Sequence, residues 1–141
     1  MIVLKSDQLN VEFQTLGGAL SSIKDKDDVE YLWQGDPTYW SGQAPVLFPI
    51  CGSVRNDTVL YDNEDGSQKE GKIPRHGLVR KKEFTLVEQT DNSVTFAIED
   101  DEEMYANYPY HFRLEITYTV TGKTIRTQYK ICLLYTSDAA D

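Results

Sequence analysis

From Phe112 onward the chain alternates between apolar and polar residues with a period of two, and no other feature restricts its fold as much. Phe112, Leu114, Ile116, Tyr118 and Val120 hold the apolar positions, with Arg113, Glu115, Thr117 and Thr119 between them. After Thr121-Gly122-Lys123 the pattern resumes, setting Ile125, Thr127, Tyr129 and Ile131 against Arg126, Gln128 and Lys130. A strand sends successive side chains to opposite faces, so this spacing describes two half-buried strands. On a helix the same residues would be spread around the axis. A glycine turn between two such runs predicts a long antiparallel hairpin.

The rest of the chain repeats that grammar in shorter phrases. Leu9, Val11 and Phe13 alternate with Asn10, Glu12 and Gln14, and Gly17-Gly18 then predicts a bulge or tight bend into a second strand. Lys24 to Glu30 reads as a charged turn, after which Val29, Tyr31 and Trp33 resume the alternation. From Gln34 to Pro49 glycines and prolines break every long pattern, leaving Ala44 to Ile50 as a short buried strand. Thr58 to Tyr61 enters a hairpin turn at Asn63-Glu64-Asp65-Gly66. Glu83 to Val87 predicts one strand and Val94, Phe96 and Ile98 the apolar side of the next, with a turn at Asp91-Asn92. The acid run Glu99 to Glu103 reads as a solvated loop. No stretch carries a convincing helix of useful length, so the expected fold is all-β, an antiparallel sandwich with its apolar faces turned inward.

Cys132 to Asp141 fits nothing before it. Residues 1–131 therefore read as the N-terminal part of a single β-sandwich domain whose native chain continues. Residues 132–141 read as a non-matching tail, foreign to the native coding sequence, with a frayed C-terminus as the alternative.

Composition removes several function classes. A formal net charge of −9 disfavours nucleic acid as a partner, because phosphate backbones are held by clustered lysine and arginine. It leaves room for a small anion, since Arg55, Lys72, Arg75 and Arg80 make the loops locally positive. No window approaches the roughly 20 apolar residues of a membrane span, and Met1-Ile2-Val3-Leu4 opens no secretory signal. Two cysteines, Cys51 and Cys132, supply neither a disulfide framework nor metal-ligand spacing. A cytoplasmic location is the expectation.

The chemistry concentrates between the strands. His76 sits in Pro74-Arg75-His76-Gly77, where proline restricts the backbone and glycine releases it. Such a histidine either presents a ring nitrogen to a ligand hydroxyl or only bonds nearby backbone. Arg80 follows four residues on and Arg55 lies in the preceding loop. Each is suited to a carboxylate, phosphate or sugar hydroxyl, although an arginine taken singly is more often a surface residue. Trp33, Trp40 and Phe48 are candidates to stack on a sugar face or to pack in the core.

Taken in order, Gly17-Gly18-Ala19, Pro45 through Gly52, Arg55-Asn56-Asp57, Pro74 through Arg80 and Tyr108-Pro109-Tyr110-His111-Phe112 resemble the aldose 1-epimerase (galactose mutarotase-like) family. The resemblance covers Met1 to about Ile131 and is nearest to the bacterial LacX-like branch. It implies a large antiparallel β-sandwich and an isomerase that interconverts the α and β anomers of an aldohexose without metal or organic cofactor. It implies that His76 is the first active-site histidine, both catalytic and sugar-binding. Arg55 and Asn56 fall in the segment that supplies a sugar-binding arginine, although mutarotases proper carry Asn-Arg where this chain has Arg55-Asn56-Asp57. Arg80 matches the His-Gly-x-x-Arg variant shared with hexose-6-phosphate mutarotases, so the implied partner is a sugar or a sugar phosphate.

The family's base, a late glutamate, its acid, a second histidine, and a binding aspartate have no motif match here. His111 matches the family's strand entry instead. The chain by itself is therefore expected to be inactive, and the alternative function is a non-catalytic carbohydrate-binding β-sandwich domain.

Overall fold

A computed structural model describes residues 1–134. Two antiparallel sheets face each other. The first has the order β1 (Ile2–Lys5), β2 (Leu9–Gln14), β3 (Ala19–Asp25). A separate hairpin pairs β4 (Thr58–Asp62) with β5 (Gln68–Lys72). The second sheet has the order β6 (Thr85–Gln89), β7 (Ser93–Glu99), β8 (Phe112–Thr121), β9 (Thr124–Leu133). The all-β sandwich expected from the alternation is the architecture found.

The core lies where the two sheets meet. Val11 and Phe13 of β2 face Val94 and Phe96 of β7 and the inner residues of β8, all of them buried. Phe13 stands 5.0 Å from Tyr118 and 6.2 Å from Phe96, centroid to centroid, tilted against both. Rings offset in this way gain about 1 kcal/mol per pair beyond the area they bury. Burial pushes the Tyr118 hydroxyl upward in pKa, and the hydroxyl donates to the Gly18 carbonyl at 2.8 Å, satisfying a polar group that would otherwise be costly inside.

Several local expectations need correction. Val29, Tyr31 and Trp33 form no strand: Glu30 makes one bridge to Lys24, while Val29 and Tyr31 stay exposed. The Glu30 carboxylate accepts from the Ile23 and Leu32 amides, so the loop is built around that acid and not around a ladder. Ala44 to Ile50 is no regular strand either. Val46 and Phe48 are buried as expected, but only Phe48 bridges, in parallel, to Gly77, and the Phe48–Pro49 peptide is cis. Strand β6 starts two residues later than Glu83, and the alternation read to Ile131 runs on through Leu133.

The acid run is the largest miss. Instead of a solvated loop, Asp101 caps a short helix, α1 (Glu102–Asn107), by accepting from the Met104 amide at 2.8 Å. That bond, more than any neighbour, holds the Asp101 carboxyl below its ordinary pKa. Met104 is buried, and Lys82 bridges to Asp101 and Glu103 at 3.5 and 3.2 Å. At the other end the Asn107 side chain accepts from the Lys72 amide, tying α1 to β5. Among the described residues no helix is long and apolar enough to cross a membrane. Residues 135–141, most of the expected tail, lie outside the described residues.

Candidate functional site

The segments singled out in the sequence converge on one side of the sandwich, joined by backbone contacts. The Leu78 amide donates to the Phe48 carbonyl at 2.7 Å, which lays Phe48–Gly52 alongside His76–Leu78. A side chain at position 77 would overlap the Phe48 carbonyl, and Gly77 has φ of 89°, so only glycine fits this crossing. Gly17 approaches from the other flank. Its amide donates to the Lys82 carbonyl at 2.7 Å, and a Cβ there would lie 2.8 Å from the Arg80 carbonyl oxygen. Tyr108 completes the convergence, edge-on to Phe48 at 6.0 Å.

This framework holds His76 at both ends. Its amide donates to the Gly52 carbonyl at 2.7 Å, and the Gly52 amide donates to His76 Nδ1 at 2.9 Å. An imidazole nitrogen that accepts from a backbone N–H carries no proton, so in the neutral ring the proton resides on Nε2. Arg75 Nε lies 3.3 Å from Nε2. A neutral ring cannot accept at both nitrogens, and the shorter bond from Gly52 is the one that favours Nε2–H. His76 itself has φ of 70°, in the left-handed region, held there by the paired bonds to Gly52.

Arg55 and Asn56 sit in a tight turn, Arg55–Asp57, in which Asn56 and Asp57 have φ of 55° and 51°. Short polar side chains tolerate that region, which accounts for the Asn-Asp pair. The Asp57 carbonyl accepts from the Ile73 amide at 2.8 Å, so the turn is tied to the chain three residues before His76. Both Arg55 and Asn56 are exposed.

Arg80 is half-buried and borders two cavities, one of them shared with Pro74, Gly77 and Leu78. It lines the other, of about 330 Å³, with Gln14, Trp40, Ser41, Gln43 and Lys81, and His76 is not among the lining residues. The Trp40 indole lies against Gly42, where a Cβ would overlap it. Trp40 is 51 % exposed, and its carbonyl accepts from Trp33 Nε1 at 2.7 Å. Of the three aromatic candidates, Phe48 is a core residue, packed 4.9 Å from Phe112. Trp33 is edge-on to Tyr39, and Trp40 alone faces a cavity with cations. Lys81 and Gln14 went unnoticed in the sequence, because nothing in the spacing brings β2 beside residues 80–81.

Among the described residues Arg55, Arg75, Arg80 and Lys81 pair with no carboxylate. In a chain of net charge −9 that leaves this side locally positive. His111 lies elsewhere: Nδ1 is 2.8 Å from Asp100 Oδ2, and the ring stacks on Tyr105 at 4.2 Å. Cys51 and Cys132 are free thiols. Among the described residues no group of three or more His, Cys, Asp or Glu side chains is placed to hold a metal ion.

Comparison with known proteins bears on the family and the fold. The Aldose 1-epimerase family model matches residues 1–134. The chromosomal protein LacX of Lactococcus lactis subsp. lactis is 57 % identical over 135 residues, spanning 96 % of this chain and 45 % of that protein. A galactose mutarotase related enzyme from Lactobacillus acidophilus superposes with a TM-score of 0.87 at 28 % identity, over 94 % of this chain and 43 % of that one. A galactose mutarotase-like protein from Lactobacillus casei gives a TM-score of 0.83 at 28 % identity, over 93 % and 43 %. The chain thus spans less than half the length of these relatives. It belongs to the aldose 1-epimerase family, close to the bacterial LacX branch.

Proposed function

We propose that this chain carries the sugar-binding part of an isomerase that interconverts the α and β anomers of an aldohexose or hexose phosphate. The observation that carries the reading is the clamp on His76, in which the Gly52 amide occupies Nδ1 and leaves Nε2, beside Arg75, for a ligand. Mutarotation needs a base to take the proton from the anomeric hydroxyl and an acid to protonate the ring oxygen. The ring then opens, the C1–C2 bond rotates, and the ring closes on the other face of the aldehyde. A donor of fixed tautomer suits contact with the ring oxygen or an adjacent hydroxyl, where negative charge develops.

Arg55 and Asn56 sit on the turn beside this clamp, suited to sugar hydroxyls. Arg80, with Lys81 and the Trp40 face, suits the far end of a larger or phosphorylated sugar, because an unpaired guanidinium binds phosphate through two parallel bonds. The glutamate base and second histidine of the family have no counterpart motif in these residues. Binding without rapid turnover is therefore expected of the chain as it stands, and the activity belongs to a chain of the relatives' length. A cytoplasmic setting fits such a reaction.

Calorimetric titration with galactose and glucose 6-phosphate tests the binding half, and NMR exchange between anomers tests the chemistry in the longer chain. Saturable binding lost in His76→Asn, with exchange accelerated in the longer chain, is the expected result. Binding without acceleration there assigns a non-catalytic carbohydrate-binding domain. No binding of either sugar removes the carbohydrate reading.

A further inference from the structure

Helix α1 touches the segment that carries His76 at both ends and stands off from its middle. At one end the Asn107 side chain accepts from the Lys72 amide at 3.0 Å, and a side chain at Gly71 would overlap the Asn107 carbonyl. At the other end Lys82 Nζ reaches the carboxylates of Asp101 and Glu103. Between these ends Pro74, Gly77 and Leu78 share with Glu103, Met104 and Asn107 the lining of a cavity of about 420 Å³. Met104 is buried in the core cluster and roots the helix there. The six residues of α1 span about 9 Å. The chain from Lys72 to Lys82 would reach about 33 Å if extended, so it bows between its two attachments, with His76 along the bow.

The attachments differ in how tightly they define a position. Antiparallel pairing alternates residues that bond to the partner strand with residues that bond away from it. The Ile73 amide donates to the Asp57 carbonyl, on the β4 side, so the Lys72 amide before it points outward, where Asn107 meets it. Asn107 is braced in turn, because its Nδ2 donates to the Glu103 carbonyl at 3.3 Å. That end joins backbone to a short, braced side chain. The lysine end is a solvent-facing ion pair on a four-carbon stem, worth under about 1 kcal/mol and tolerant of drift. From Lys72 onward the order passes along the chain by successive bonds: Ile73 to Asp57, His76 to Gly52 and Leu78 to Phe48.

We propose that Asn107 is a positioning residue for His76: by holding the Lys72 amide it fixes the point from which residues 73–76 run to the Gly52 clamp. Asn107 acts through the backbone of Lys72 and not by touching a ligand. The consequence for sugar binding rests on the function proposed above, whereas the placing of His76 does not.

The test compares Asn107→Ala, Asn107→Asp and Lys82→Met in the whole 141-residue chain. Asn107→Ala should speed amide exchange at Ile73 and His76 by about tenfold while the β7 and β8 amides keep their protection. The His76 Nδ1 resonance should shift with it toward that of a ring without the Gly52 bond. Asn107→Asp keeps the accepting oxygen and should bring exchange back to within about twofold of the parent. Lys82→Met should stay within about twofold as well. In a galactose titration the alanine variant should bind about three- to tenfold more weakly and the aspartate variant like the parent. A parent that binds no galactose removes the sugar reading, and exchange still decides the placing of His76. Unchanged exchange in Asn107→Ala overturns the proposal, and so does an equal effect of Asn107→Asp or Lys82→Met. Loss of β7 and β8 protection in Asn107→Ala also overturns it, because Asn107 would then hold the fold and not the histidine.

Discussion

The four-stranded sheet and the loops around His76 are held together in different ways. In the sheet, stability is spread over many equivalent contacts: β7 and β8 share seven register pairs, and Phe96 is packed by Phe13 and Tyr118 together. Around His76 each geometric requirement rests on one or two contacts: Gly77 on the Phe48 carbonyl, His76 on its paired bonds to Gly52, Gly17 on Arg80 and Lys82. The sheet is a scaffold because losing one pairing leaves the rest. The loops are sensitive because so few contacts hold each residue in place.

Substitutions on each side probe that contrast. The largest expected effect is in the sheet, where Phe96→Ala removes a ring with 0 % exposure and should cost about 3–5 kcal/mol by urea denaturation. Gly77→Ala comes next, at about 2–3 kcal/mol, because the residue must hold a left-handed backbone while displacing the Phe48 carbonyl. Its signature is local: the Leu78 amide loses exchange protection while the β7 and β8 amides keep theirs. If those strand amides open together with Leu78, the two regions are one cooperative unit and the contrast fails.

Asp101→Ala, at the junction of the two regions, should cost about 1 kcal/mol through the lost helix cap. Because the native Asp101 carboxyl titrates below its unfolded value, its contribution is complete above the ordinary carboxylate pKa and is lost as pH falls through the lowered native one. The variant should therefore differ clearly from the parent at pH 7 and little at pH 2, as paired denaturation curves would show. A constant difference across that range would mean that the cap acts through packing alone.

The smallest stability effect belongs to His76→Asn, under about 0.5 kcal/mol, since asparagine tolerates the left-handed backbone. Sugar binding should nevertheless be abolished in the same calorimetric titration. A stability loss comparable to that of Phe96→Ala would make His76 a scaffold residue.

The scaffold was far more legible in the sequence than the site. Phe112 to Val120 announce their buried face through period two, because a strand repeats its environment every second residue. Nothing periodic marks the clamp on His76, which joins residues 24 positions apart; the Pro74-Arg75-His76-Gly77 setting singled out the histidine but not its partner. The acid run misled for a related reason. Glu99 to Glu103 looks solvated by composition, yet Asp101 is a cap whose meaning depends on Met104 being buried three residues later.

Sequence alone determined the all-β class, the hairpin at Gly122 and the identity of the core-facing residues, since alternation is a local property of the chain. It also named His76, Arg55, Asn56 and Arg80 as candidates. Tertiary structure decided the backbone clamp on His76, the cavity that Arg80 shares with Trp40, and which apolar face is covered. Tyr129 and Ile116 obey the same alternation, and one is exposed while the other is buried. Alternation fixes the side of a sheet to which a residue points, but only the packing of a second layer decides whether that side meets protein or water.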